Sequence, residues 1–155
     1  AVIIATASST VTAISIWAED FTRTMGAEMT KEGKELFVAR TMVVMAASIA
    51  GVDAIDTVLS DLDDEEWFKE EVKSSMNLGF AGKSCIHPSQ VKIVHKIFTP
   101  NKEELEKSLE IVKAAEAANI NKGGVITVNG KMVDIPVIAK AEKVVRLAKS
   151  AGMIK

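Results

Sequence analysis

The sequence predicts an α/β fold. Short β-branched apolar runs alternate with longer segments of helical apolar spacing, and glycine or proline stands at the junctions. Strands alternating with helices imply parallel pairing through right-handed crossovers. The chain ends differently, with two short apolar stretches around Asn129-Gly130 and then a helix, which predicts a hairpin–helix appendage.

Residues 1–10 are small and β-branched and begin without an initiator Met, which reads as part of a longer chain. Val11 to Trp17 is a β-branched run of strand length, and the polar Ala18-Glu19-Asp20 after it predicts a loop. Lys31 to Ala50 carries Leu36, Ala39, Met42, Val43, Ala46 and Ile49 at helical spacing, with Gly51 where a left-handed end cap belongs. Val38, Val44 and Met45 make its other side apolar too, so this helix is expected to be covered on more than one side, by neighbouring helices or another subunit. Val52 to Val58 is the second strand, followed by a helix with Trp67, Phe68, Val72 and Met76 on its face and Gly79 at its end. Lys83 to His87 reads as the third strand, and Pro88 opens a helix, since a first helical turn loses nothing by a missing N–H. Asn101 with Glu104 predicts a capping box for a helix to Asn119, with Leu105, Leu109, Val112 and Ala115 inward. The hairpin spans Val125 to Val133, and the last helix Pro136 to Ala151.

Composition narrows the function. Of 155 residues, 48% are hydrophobic and 26% charged, the balance of an ordinary globular protein. The 19 basic and 21 acidic side chains give a net charge of -2 without a long block of either sign, so neither nucleic acid nor a membrane surface is an expected partner. Cys85 has no second cysteine to pair with, and no apolar run reaches the ~18 residues that span a bilayer, so the expectation is a soluble, cytoplasmic protein.

In parallel α/β folds, function gathers beyond the carboxyl ends of the strands. Those ends carry Glu19 and Asp20, then Asp56, then His87 with Pro88, so carboxylates and an imidazole are expected to converge on one rim. Oxygen donors suit a hard cation such as Mg²⁺, which can hold a substrate carboxylate or enolate oxygen; the plainer reading is that these acids cap helices. Asp134 reads as the cap of the last helix. His95 reads as a partly buried structural residue, Cys85 as an inert packed thiol, and the seven Met as core fillers; Gly123-Gly124 lacks the flanks of a phosphate loop.

The segments WAEDFTRTMGAEMTKEGKELFVAR, VDAIDTVLSDLDDEEWFKEE, LGFAGKSCIHPSQVKIVHKIFTP and NGKMVDIPVIAKA, in that order, resemble the carboxy-terminal half of the citrate lyase beta-subunit family, within the HpcH/HpaI aldolase and CoA-ester lyase group. The resemblance runs from about Ile4 to the end of the chain. It implies an α/β fold forming the carboxy-terminal part of a TIM barrel, with residues 1–122 matching the last three of eight strands. Residues 123–155 would form an extension that reaches over a neighbouring subunit's active site in a homo-trimer or hexamer.

The resemblance further implies a Mg²⁺-dependent lyase that cleaves a 3-hydroxyacyl thioester of coenzyme A or acyl-carrier protein into an acetyl thioester and a 2-oxo acid. Asp20 matches the family's metal ligand, Ala18 and Glu19 the substrate-carboxylate site, His87 and Pro88 the lining beneath the thioester, and Asp134 the acid/base supplied across the subunit interface. Other citrate lyase subunits are implied partners. Trp17 stands where the family usually has Gly, and His87 where citrate lyase subunits often have Asn. The family's second metal ligand, a Glu, and its substrate-binding Arg have no counterpart here, so this chain alone is expected to be inactive. Malyl-CoA or citramalyl-CoA cleavage remains an alternative, as does a non-catalytic interaction module.

Overall fold

The computed structural model describes residues 1–120 and 124–154. They fall into two compact units, Ala1–Phe98 and Thr99–Lys155. The division places the helix after Thr99 with the hairpin and last helix, whereas the sequence reading carries the partial barrel on to residue 122.

In the first unit the order is α1 (Val2–Ala5), β1 (Ala13–Ser15), α2 (Ala18–Met25), α3 (Lys34–Ala50), β2 (Asp53–Asp56), α4 (Glu65–Leu78), β3 (Gly82–Lys83) and α5 (Pro88–Phe98). The strands form one parallel sheet in the order β1-β2-β3, as the alternation predicts. Ile16 and Ala54 on one sheet face meet Ala47 of α3 and Phe80, with Ile14, Phe21, Val43 and Val44 packed around them. A second cluster joins Leu59, Phe68, Val72 and Val94 beneath α4 and α5. Gly51 ends α3 with φ 69, the conformation its position predicts.

Three expectations need correction. The segment after β1 is not a loop, because α2 begins at Ala18 and places Glu19 and Asp20 in its first turn. The third strand ends at Lys83 instead of running to His87, because the last ladder bond is Ser84 N–H to the Asp56 carbonyl at 3.0 Å. On α3, Met42 and Ile49 lie outward with Phe37, Val38 and Met45, while Leu36, Arg40, Ala46 and Ala47 are buried.

Arg40 is the charged member of the buried stripe. Its Nη2 donates to Asp56 Oδ2 at 2.6 Å and its Nε to Asp56 Oδ1 at 3.2 Å. The strand register sets Lys83 beside Asp56, with Nζ 3.4 Å from Oδ2. From α4, one turn apart, Ser75 donates its hydroxyl to Asp56 Oδ2 and Glu71 lies 3.6 Å from Arg40 and 3.8 Å from Lys83. Two cations and two anions therefore balance, with Arg40, Lys83 and Asp56 buried and Glu71 at the partly exposed edge. Burial alone would raise the Asp56 carboxyl, but the charges of Lys83 and Arg40 and the hydrogen bonds from Ser75 and Arg40 outweigh it and hold it below its ordinary value. Burial pushes the Lys83 ammonium below its ordinary value, against the pull of Asp56 and Glu71.

The second unit comprises α6 (Lys102–Ala117), β4 (Ile126–Val128), β5 (Lys131–Val133) and α7 (Ile135–Ser150). Asn101 caps α6 by accepting from Glu104 N–H at 2.8 Å, which is half of the expected capping box. Asn129 and Gly130 turn the antiparallel β4–β5 hairpin with φ 52 and 74, the paired positive angles that an Asn-Gly turn tolerates. Ala115, Val133 and Ile138 form the core between α6, the hairpin and α7. Of the Gly123-Gly124 pair, Gly123 lies outside the described residues.

Removing one partner from a buried ion pair strands the other charge. Arg40→Met should therefore lower unfolding free energy by about 3–5 kcal/mol in urea denaturation of the full-length protein. The paired change Arg40→Met with Asp56→Leu should recover much of that loss. A loss below about 1 kcal/mol for Arg40→Met would show that the cluster does not hold the sheet to its helices. Because the folded Asp56 carboxyl lies below its ordinary 3.8, its contribution is complete above that pH and is lost as pH falls further. The wild-type denaturation midpoint should fall over that acid range, and Asp56→Asn should lack this part of the acid dependence.

Candidate functional site

Parallel β1, β2 and β3 send the segments beyond their carboxyl ends to one edge of the sheet. Trp17, with φ -109, leads from β1 into α2 in extended backbone that needs no glycine, and the residue is 56% exposed. It gives α2 no side-chain cap. The Ala18 N–H is instead donated to Thr57 Oγ1 at 2.8 Å, from the segment just beyond β2. Glu19 and Asp20 follow in the first turn, where the helix's positive end favours acids. Both side chains are exposed, and Asp20 Oδ1 accepts from Arg23 Nη2 at 2.7 Å. Asp20 Oδ2 takes no hydrogen bond among the described residues, which leaves a hard oxygen donor directed to no protein partner.

Beyond β3 the backbone is irregular and is held by side chains. Ile86 N–H donates to Gln90 Oε1 at 3.0 Å, and Gln90 Nε2 donates to the Leu59 carbonyl at 3.0 Å. His87 is exposed, and its Nδ1 accepts from Ser89 N–H at 3.3 Å with Ser89 Oγ 2.8 Å away. With Nδ1 accepting, a neutral ring carries its proton on Nε2. Pro88 occupies the first position of α5.

The expected convergence on the rim is only partly present. Asp56 is withdrawn from it, fully buried against Arg40, Lys83 and Ser75. Among the described residues no three His, Cys, Asp or Glu side chains gather as a metal site. Asp20 with its unengaged oxygen fits the role of one Mg²⁺ ligand. Asp134, in the second unit, is the amino-terminal cap of α7, its Oδ1 accepting from Val137 N–H at 3.2 Å.

The remaining candidates sort by exposure. His95 is exposed rather than partly buried, because Val94, Ile97 and Phe98 supply the inward face of α5. Cys85 lies beyond β3 against the Leu59 cluster, and burial pushes its thiol up, in keeping with an inert packed group. Met25, Met42, Met45, Met76 and Met132 are exposed, so the methionines are not generally core fillers. The sequence reading missed Thr57, Gln90 and the Arg40–Lys83 cluster. A lone Arg within the apolar run of α3 was the available signal for the cluster, since an inward charge there demands a partner. Among the described residues no helix is long and apolar enough to cross a membrane.

Residues 1–88 match the model of the HpcH/HpaI aldolase/citrate lyase family. The chain is 42% identical over 153 residues to citrate lyase subunit beta of Escherichia coli (strain K12), covering 99% of this chain and 51% of that protein. It is 32% identical over 138 residues to the mitochondrial citramalyl-CoA lyase of Homo sapiens, covering 89% of this chain and 41% of that one. The chain thus spans about half the length of the curated relatives it matches. Among solved structures, the CitE protein of Mycobacterium tuberculosis in complex with magnesium, acetoacetate and coenzyme A superposes with a TM-score of 0.74 at 31% identity, over 96% of this chain and 55% of that one. With its motifs in order along the chain and its family model matched from Ala1 to Pro88, this protein belongs to the HpcH/HpaI aldolase/citrate lyase family.

Proposed function

We propose that the chain supplies the carboxy-terminal part of a carbon–carbon lyase that cleaves a citryl thioester of coenzyme A or acyl-carrier protein into an acetyl thioester and oxaloacetate. The observation that carries this reading is the shared sheet edge on which Asp20, at the head of α2, and His87, at the head of α5, both stand. The Mycobacterium tuberculosis relative's complex with magnesium, acetoacetate and coenzyme A supports the ligand classes. In this reading β1–β3 are the last three strands of an eight-stranded barrel, and the hairpin with α7 is an extension.

The reaction is a retro-Claisen cleavage. The substrate hydroxyl gives up one proton to solvent as it becomes the oxo-acid carbonyl, the electron pair of the breaking carbon–carbon bond passes to the thioester's α-carbon as an enolate, and that carbon takes one proton to become the acetyl thioester, so the cleavage is proton-neutral overall. Asp20 would hold Mg²⁺ through Oδ2. When bound, the ion supplies positive charge for the carboxylate and carbonyl oxygens of the oxo acid. Because Thr57 already engages the Ala18 N–H, the amides of Glu19 and Asp20 remain to receive the substrate carboxylate at the helix's positive end. His87 and Pro88 line the thioester side, where the imidazole can offer its Nε2–H. Asp134 delivers the proton to the enolate carbon of a neighbouring subunit in a homo-trimer or hexamer, and its cap bond uses Oδ1 only, leaving Oδ2 for that task.

Citramalyl-CoA cleavage is the second reading, supported by identity to the human citramalyl-CoA lyase. Comparing kcat/KM for citryl and citramalyl thioesters of the full-length protein separates the two.

Asp20→Ala should abolish Mg²⁺-dependent cleavage while lowering stability by no more than about 1 kcal/mol, since the side chain fills no core space and contributes an exposed pair with Arg23 and a favourable place at the positive end of α2. Retained activity with an unaltered Mg²⁺ titration would remove Asp20 from the site. Asp134→Asn should keep the α7 cap, because Asn and Asp cap nearly equally, yet lower turnover by at least roughly a hundredfold. Mixing Asp134→Asn with Asp20→Ala subunits should restore part of the activity. Undiminished turnover in Asp134→Asn would leave that residue a cap alone, and failed rescue would place its action within its own subunit.

A further inference from the structure

Among the described residues, neither the Asp20 nor the His87 side chain makes a long-range hydrogen bond: that of Asp20 pairs with Arg23, three residues on and exposed, and that of His87 with Ser89. Where their side chains stand therefore depends on the backbone beneath them. Next to each lies a nearly buried polar side chain that ties that backbone to the segment beyond β2. Thr57, 4% exposed, takes the Ala18 N–H two residues before Asp20. Gln90, 3% exposed, takes the Ile86 N–H next to His87 and gives its own Nε2–H to Leu59.

These bonds occur where no ladder exists. Helix α2 lacks a cap of its own, and residues 84–87 form neither strand nor helix. The Ala18 N–H is buried and must keep a partner, so losing the Thr57 hydroxyl would force its segment to move or admit water; the half-exposed Ile86 would lose the one side-chain bond that holds its amide in place. We propose that Thr57 and Gln90 are positioning residues, braces anchored on the segment beyond β2 that set where Asp20 and His87 stand. Thr57 serves the metal and oxo-acid side, and Gln90 the thioester side. The ligand assignment rests on the lyase reading above, whereas the bracing itself rests on geometry alone.

The test uses the full-length protein with Thr57→Val and Gln90→Met, which keep approximate volume and remove the hydrogen bonds. Amide hydrogen exchange should accelerate about tenfold or more at Ala18 in Thr57→Val and at Ile86 in Gln90→Met, the two amides whose acceptors are removed, each leaving the other unchanged. By titration calorimetry, Thr57→Val should weaken Mg²⁺ binding in the presence of a 2-oxo acid about tenfold or more, with acetyl-CoA affinity unchanged. Gln90→Met should do the reverse. Thr57→Ser, which retains the hydroxyl, should restore both readouts. Should Gln90→Met not fold, Gln90→Glu keeps the acceptor for Ile86 but loses the donor to Leu59, and should weaken acetyl-CoA binding in the same way. Exchange unchanged in both variants, or both segments and both ligands loosened alike, would overturn the inference. If exchange changes locally as stated while Asp20→Ala still binds Mg²⁺ normally, the bracing holds and the metal assignment fails.

Discussion

Arg40 places a guanidinium on the inward stripe of α3, where only a fully satisfied charge is tolerated, and Asp56 meets it with both carboxylate oxygens. The rest of the first unit depends on that pair. Asp56 ends β2, Lys83 stands beside it in β3, Ser75 reaches it from α4 and Glu71, also on α4, faces Arg40 and Lys83, so one cluster fastens two strands to two helices. Apolar packing such as Ile16 on Ala47 and Ala54 tolerates sliding; a forked ion pair with two further partners defines one register.

Fixing the β2–β3 register also fixes where each strand stops. Asp56 closes the ladder through its backbone carbonyl, and the chain leaves the sheet on both sides of it. The carboxylate at that position is thereby spent on structure, while the acids at the head of α2 stay in solvent. The division follows from burial: a withdrawn Asp needs cations beside it, whereas an exposed Asp in a first helical turn is stabilised by the helix and retains an unengaged oxygen.

Much of this was legible in the chain. β-branched runs gave the parallel sheet, Gly51 and Gly79 the helix ends, Asn101 and Asp134 the caps, and Asn129-Gly130 the hairpin turn. What escaped were features set by partners distant in sequence. Lys83 to His87 has strand composition, yet pairing stops with Asp56, so the apolar Cys85 and Ile86 lie in irregular backbone. Ala18-Glu19-Asp20 looks like a loop because its helix has no local cap; Thr57 supplies the cap from 39 residues away. The apolar periodicity of α3 left its inward side ambiguous, and Arg40 settles it by facing Asp56. The roles proposed for Asp20, His87 and Asp134 come from the motif resemblance, since spacing alone could not distinguish these residues from ordinary helix-end residues.

In the proposed lyase the head of α2 would be the cation site. Mn²⁺ takes the same oxygen ligands as Mg²⁺ and broadens nearby amide resonances, so titrating the full-length protein with Mn²⁺ in the presence of a 2-oxo acid reads the site directly. The account predicts broadening centred on Glu19 and Asp20, with the buried Arg40–Asp56 cluster lying outside the centre. Broadening centred on the acidic segment Asp61 to Glu66, or spread evenly over the surface, would contradict it.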